Sequence, residues 1–278
     1  MAATTTLSGD RSGGISHQCH VFSLYLSSIP CLSLFSISPL HENGDGGEVQ
    51  SVLECLRHIQ SPCFQRLRIE RCWSTISISG DYFPAELEYL EIWKCSKLTF
   101  PEPVEHKLLT EIHVSKCDSV RLFPLGALPN LKKFTISDCS EMDCFGEECL
   151  PPSLTSLEIS NCQKLESWIT SNGLQSEGLT HLSLQGWNGV KSFPGEGCLP
   201  ASLQSLRLSL FRNLETLDFK GLHHLTSLRE VKIERCPKLK NITQGKMPAS
   251  LSELYIHGAC PLTEYDIGYQ RYYILRFL

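Results

Sequence analysis

What this sequence has little of narrows its function first. Basic charge is not in excess: 25 Lys and Arg stand against 30 Asp and Glu, a formal net charge of −5. The broad cationic footprint of a nucleic-acid binder is therefore missing. No apolar run has the length of a membrane span or the placement of a signal peptide. The nearest, residues 21–37, is broken by Pro30, interspersed with Ser, Tyr and Cys, and preceded by a Ser-, Thr- and Gly-rich stretch instead of a short basic start. Catalytic signatures are scarce as well. There is no HExxH and no nucleophile elbow, and the only Gly-Lys pair, Gly245-Lys246, is followed by Met247 where a phosphate loop needs a hydroxyl for magnesium. The expectation is a chain that is not an enzyme and has no catalytic residue, no cofactor, and no nucleic-acid or membrane partner.

Cysteine is plentiful, 14 residues in all, yet most fall singly at regular intervals in one local setting, which points to buried thiols in a reducing compartment rather than a disulfide framework. Cys139, Cys144 and Cys149, with Cys162 beyond, are spaced more widely than a zinc knuckle, and Cys139 and Cys162 have repeat roles, so no metal site is expected. His223-His224 and His181 lack a partnering nucleophile pattern and read as polar surface or loop. The sequon Asn241-Ile242-Thr243 has meaning only for an exported chain and reads as a chance match.

What is abundant is repetition. The pattern LxxLxIxxC recurs as FQRLRIERC from Phe64, LEYLEIWKC from Leu87, LTEIHVSKC from Leu109, LKKFTISDC from Leu131, LTSLEISNC from Leu154 and LREVKIERC from Leu228. Three copies change only the last position, at Leu179–Trp187, Leu203–Phe211 and Leu251–Ala259. The nine starts are 22 to 25 residues apart, within the range of leucine-rich repeats. Each core alternates apolar and polar residues like a half-buried strand, and one copy alone has nothing to bury its leucines against. Stacked copies supply that partner, which gives an α/β-type repeat solenoid: a leucine-rich-repeat horseshoe with a parallel concave sheet. A further apolar residue follows each ninth position by three, as at Leu98, Val120, Met142, Leu165, Val190, Leu214 and Leu239. Phe100-Pro101, Phe123-Pro124 and Phe193-Pro194 open return segments, while Pro129, Pro152, Pro200 and Pro248 precede strands. Proline disfavours helix and lacks a ladder donor, so the convex side should consist mostly of irregular loops and short turns.

The chain divides into a weakly ordered segment at 1–50, in which Leu32, Phe35, Ile37 and Leu40 fit a degraded repeat frame before the polar loop His41–Glu48; the array at 51–262; and an irregular tail or cap at 263–278. The tail brings Tyr265, Tyr269, Tyr272, Tyr273 and Phe277, suited to covering the last leucine layer.

Strand alternation places three polar columns on the concave face. The middle one reads Arg68, Glu91, His113, Thr135, Glu158, Ser183, Arg207, Lys232 and Tyr255, flanked by Tyr89 and Trp93. Trp93 is expected exposed beside Tyr89, and aromatics with Arg dominate interface hot spots, so these eleven residues are the candidate protein-binding surface. Opposite charges on neighbouring copies are expected to pair across strands, at under about 1 kcal/mol each.

The LxxLxIxxCxxL units, with the joining phrases GALPNLKKF, CLPPSLTSLEISNCQKLESW and CLPASLQSLRL, resemble the C-terminal leucine-rich-repeat region of plant intracellular nucleotide-binding disease-resistance proteins. The resemblance implies a recognition and autoinhibitory arm in defense against pathogens. Its partners would be a pathogen effector, a guarded host protein or the nucleotide-binding domain of a receptor, and its compartment the cytoplasm, with the nucleus second. In that family a nucleotide switch lies ahead of the repeats, and this chain carries none. A fragment, a truncated product and an arm beside another chain are all open. The alternative function is a generic scaffold such as a ubiquitin-ligase substrate adaptor, or a non-functional truncated fragment.

Overall fold

The computed structural model describes residues 64–258 apart from 80–81, 101–105, 124, 146–149 and 243–247, together with residues 25–26, 33–37, 53–54, 56 and 272–276. One twelve-stranded sheet organises them. Its strands are β1 (Tyr25–Leu26), β2 (Ser33–Ile37), β3 (Arg66–Glu70), β4 (Tyr89–Trp93), β5 (Glu111–Ser115), β6 (Lys133–Ser137), β7 (Ser156–Ser160), β8 (His181–Gln185), β9 (Ser205–Ser209), β10 (Glu230–Glu234), β11 (Glu253–His257) and β12 (Tyr272–Arg276). From β2 to β11 every neighbour is parallel, and the repeats align residue for residue: Leu67 faces Leu90, which faces Ile112, then Phe134 and Leu157. The degraded frame is a rung too, with Phe35 opposite Leu67 and Ile37 opposite Ile69. The chain is a leucine-rich-repeat-type solenoid.

The register follows from the apolar pattern. At each rung three residues point inward, the starting Leu or Phe and the two alternating strand positions, and all are buried from Phe64, Leu67 and Ile69 through Leu251, Leu254 and Ile256. A one-residue slip would put every one of them on the solvent face. The apolar residues three beyond each ninth position are buried as well, Val190 only partly.

Entry to each strand uses a short turn. The N–H of Leu87, Leu154, Leu203 and Leu251 donates to the carbonyl of Pro84, Pro151, Pro200 and Pro248 respectively, three residues back. At Leu109 a histidine replaces proline: His106 Nδ1 accepts the Leu109 N–H at 3.1 Å, so Nε2 carries the proton and donates to the Pro84 carbonyl at 2.9 Å. Burial holds the His106 ring below its ordinary pKa, which favours this neutral form.

Exit from each strand uses a left-handed residue. Arg71, Lys94, Lys116, Asp138, Asn161, Leu210 and Arg235 have φ between 52° and 57°, and Gly186 and Gly258 take the same place at 73° and 89°. That conformation costs a non-glycine residue roughly 1–2 kcal/mol. It is held because each N–H, from Arg71 to Arg235, donates to the last carbonyl of the next strand at 2.8–3.0 Å.

The thiol that follows uses the same group. Cys95 Sγ donates to the Trp93 carbonyl, which also accepts the Arg71 N–H; Cys72, Cys117, Cys139, Cys162 and Cys236 repeat the contact two residues back at 3.3–3.6 Å. Burial pushes the Cys162 and Cys198 thiols up to about 12 and about 11, from an ordinary value of 9.0. Cys139 rises too, through its hydrogen bond with Cys117 and burial. Folding thus retains protons that the unfolded chain releases. The contribution is complete below about pH 9 and is lost as pH climbs through about 11–12. Two results are expected: these cysteines resist iodoacetamide at neutral pH until urea unfolds the chain, read by mass spectrometry, and the urea midpoint falls above pH 9. Full labelling of the folded chain would contradict the buried-thiol assignment.

The convex side is mainly turns and two-residue strand pairs, such as Ile76–Ser77 with Leu98–Thr99 and Ser192–Phe193 with Thr216–Leu217 and Asn241–Ile242. One departure is a ten-residue helix, α1 (Gln163–Asn172). It forms where the return segment carries no proline, and its Leu165, Glu166 and Ile169 face inward. An antiparallel strand is added at each end of the parallel array, β1 on β2 and β12 on β11, and these two are the edge strands of the sheet. The tail call falls partly outside the described residues, and the β12 strand stands where sequence suggested only irregular chain. Residues 1–24 and the loop 41–48 lie outside the described residues, as do Pro101, Pro124, Cys149, Thr243, Gly245, Lys246, Met247 and Ala259.

Candidate functional site: the concave sheet face

Parallel register brings the middle column together as read from the sequence: Arg68 faces Glu91, Glu91 faces His113, and the row continues through Thr135, Glu158, Ser183, Arg207, Lys232 and Tyr255. Adjacent rungs lie about 4.8 Å apart, so the column is a continuous polar track. Most of its members are half-buried, and Arg207 is exposed.

Charge pairing runs along strands, between register partners and diagonally across rungs. Arg68 Nε lies 2.9 Å from Glu70 Oε2 and 3.7 Å from Glu91 Oε1. Lys133 Nζ lies between Glu111 at 3.5 Å and Glu158 at 3.7 Å, and Arg207 meets Glu234 at 2.8 Å. His113 Nε2 is 2.7 Å from Glu111 Oε1. Burial opposes ionisation of Glu111, but the hydrogen bond and charge of His113, helped by Lys133, hold its carboxyl below the usual range. At the far end Lys232 Nζ is 2.7 Å from Glu230, and the Tyr255 hydroxyl donates to Glu253 at 2.6 Å.

Trp93 is not exposed as the sequence suggested. It is half-buried beneath cations: Lys94 Nζ stands 4.4 Å from the ring centroid, the Arg71 guanidinium 5.2 Å and that of Arg68 5.4 Å. Long side chains of adjacent rungs fold over the nearest large ring, which alternation alone does not reveal. Tyr89 is likewise capped, with Arg66 4.0 Å from its centroid and the His113 ring at 5.3 Å. Its burial and the Glu91 charge push the phenol up to about 12.

The residues weighed for chemistry are dispersed. His181 sits on the concave face, its Nδ1 2.8 Å from Thr180 Oγ1, whereas His224 Nε2 engages the Leu199 carbonyl at 2.8 Å on the flank. A cleft of about 630 Å³ beside His224 is lined by Leu150, Pro152, Ser176, Glu177 and Pro200, and Ser176 Oγ accepts the Leu179 N–H there. Among the described residues no group of three His, Cys, Asp or Glu is placed to hold a metal ion. Among them, too, no helix is long and apolar enough to cross a membrane. Two structurally important residues escaped the sequence reading, His106 and Glu166. Both are buried polar groups; His106 was legible as a break in the proline that opens four other strand-entry turns, whereas Glu166 lies in a return segment whose sequence is not periodic.

No family model matches the chain. An Arabidopsis thaliana protein named "Putative disease resistance protein" is 36% identical over 284 aligned residues, which cover 73% of this chain and 20% of that protein. The solenoid is therefore similar in sequence to about one fifth of the length of the curated relative it matches.

Proposed function

We propose that the chain is a protein-recognition arm of a plant disease-resistance system, and that it binds through its concave face. The observation that carries the reading is the in-register polar track, whose side-chain chemistry varies along the rungs over a uniformly apolar core. Such a surface specifies a macromolecular partner by pattern, whereas small-molecule chemistry favours an enclosing pocket. The similarity to a disease-resistance protein supplies the setting. The partner classes are a pathogen effector, a guarded host protein or the nucleotide-binding domain of a receptor, met in the cytoplasm or nucleus. Arg68, Tyr89, Glu91, Trp93, His113, Thr135, Glu158, Ser183, Arg207, Lys232 and Tyr255 are the contact residues, and no cofactor or catalytic step is involved.

Proximity labelling in plant cells tests this. The native chain should recover a nucleotide-switch protein, an effector or a guarded host protein, and replacing Tyr89, Trp93 and His113 by Ala should abolish that recovery. Recovery of ubiquitin-ligase subunits would move the assignment to a substrate adaptor, and unchanged recovery by the variant would remove the concave face from it.

A further inference from the structure

The left-handed exit residues form a ladder of their own along one rim of the concave sheet, and its chemistry is polarised. In three consecutive rungs the residue is Arg71, Lys94 and Lys116; the next two are Asp138 and Asn161. At rung spacing of about 4.8 Å the three cations span roughly 10 Å. Their backbones are fixed, since each N–H is bonded to the following strand at 2.8–3.0 Å.

These cations differ from several others of the array. Lys133, Lys164, Arg207, Lys232 and Lys240 each reach a carboxylate. Among the described residues Arg71, Lys94 and Lys116 form no ion pair, and Glu70 and Glu91 pair with Arg68. Arg71 and Lys94 crowd instead over the Trp93 ring, at 5.2 and 4.4 Å. A ring relieves little of the repulsion between like charges, and an anion placed among them would relieve more. Trp73, two residues beyond Arg71, is 42% exposed.

We propose that Arg71, Lys94 and Lys116, with Trp93 beneath the first two, form a docking ridge for an acidic, apolar-interspersed segment of a partner protein. An extended segment presents alternate side chains on one side about 6.8 Å apart. Two or three carboxylates in alternation therefore meet the three cations, while intervening apolar residues meet indole surface. A nucleic acid fits less well: the ridge is short, and the chain as a whole carries a formal net charge of −5. The proposal rests on the protein-recognition reading above and narrows it to one partner chemistry.

The chain itself supplies the test variants. Asn161 and Gly186 occupy the same left-handed position in later rungs, so Arg71→Asn, Lys94→Asn and Lys116→Asn remove charge where the backbone accepts asparagine. The probe is a fluorescein-labelled peptide with three Glu at alternate positions separated by Leu, followed by anisotropy at low and high salt. The native chain should bind it in a salt-sensitive manner. The triple variant, with an unchanged urea midpoint, should lose about tenfold or more in affinity, whereas Arg235→Asn, the same turn at the far end, should stay within about twofold. No binding by the native chain, equal binding by the triple variant, or tighter binding of a single-stranded RNA of similar length would each overturn the ridge. In the cellular experiment, a partner recovered equally by native chain and triple variant sinks the ridge while the concave-face reading stands. A partner lost from both the triple variant and a Tyr89→Ala, His113→Ala variant that keeps Trp93 supports both.

Discussion

Replacing Phe134 by Ala is expected to lower the unfolding free energy by about 3–5 kcal/mol, the usual cost of emptying a fully buried aromatic site. Phe134 is completely buried on β6, opposite Ile112 on one side and Leu157 on the other. It is also the middle of an aromatic spine running through five convex-side segments and strands. Phe100 meets Phe123 at 4.7 Å, Phe123 meets Phe134 at 5.2 Å, Phe134 meets Phe145 at 6.2 Å, and Phe145 meets Trp168 edge-on at 5.9 Å. Collapse around the vacancy is resisted from both sides, because parallel rungs hold the backbone at fixed spacing. Stability in a solenoid is a sum of units and nearest-neighbour interfaces, so a lesion at a central rung uncouples the two halves where one at a terminal rung only frays an end. Urea unfolding followed by circular dichroism and tryptophan fluorescence checks this, since Trp168 ends the spine. Phe134→Leu, which installs the residue used at the equivalent Leu67, Leu90 and Leu157, should cost distinctly less. An unchanged midpoint for the Ala variant would show that the spine contributes no coupling.

Phe134 also shows how far the sequence could be read. Its inward direction, its strand and its neighbours on adjacent rungs all follow from the LxxLxIxxC spacing, because a parallel sheet built from near-identical units admits one register. The same arithmetic placed the middle column, Arg68 to Tyr255, and the expectation of cross-strand ion pairs, but not their partners: register sets Arg207 opposite Lys232, and its guanidinium reaches diagonally to Glu234. Spacing did not show its pairing with Phe123 and Phe145, which arrive from return segments whose path no period sets. The limit is the same at the candidate site. Alternation says that Trp93 faces the concave side, but its burial depends on where Lys94, Arg71 and Arg68 lay their long side chains. The left-handed exit turns are a further case. Glycine stands at only two of the nine positions, so the composition signal for positive φ is nearly absent, and the hydrogen bond from each following rung enforces the conformation instead.

The return segments differ in how they satisfy their backbone, and this decides where a polar residue becomes indispensable. Where the convex chain is extended, its carbonyls serve the next unit: Lys191 accepts from the N–H of Glu215 and Thr216, and Glu215 from those of Lys240 and Asn241. Helix α1 breaks the relay, because a helix spends its carbonyls on its own N–H groups. The facing turn after Trp187 would then lack acceptors.

Glu166 supplies them. Only 4% exposed, it accepts from the Gly189 N–H through Oε1 at 2.6 Å and from the Asn188 N–H through Oε2 at 3.2 Å. Its carboxylate thus stands in for the two-N–H acceptor that a carbonyl provides elsewhere. Glu166→Ala is expected to cost about 2–3 kcal/mol, since hydrogen bonds to a charged group are worth more than neutral ones and both donors lose their partner. Glu166→Gln keeps one acceptor oxygen but turns an amide donor toward the second N–H, so about half of that loss is expected. Hydrogen exchange separates this role from simple packing: the Asn188 and Gly189 amides should lose protection in both variants while the Leu182 and Leu184 amides of β8 keep theirs. Unchanged exchange at Gly189 in the Ala variant would mean that solvent already serves that donor, and that α1 docks on its apolar Leu165 and Ile169 alone.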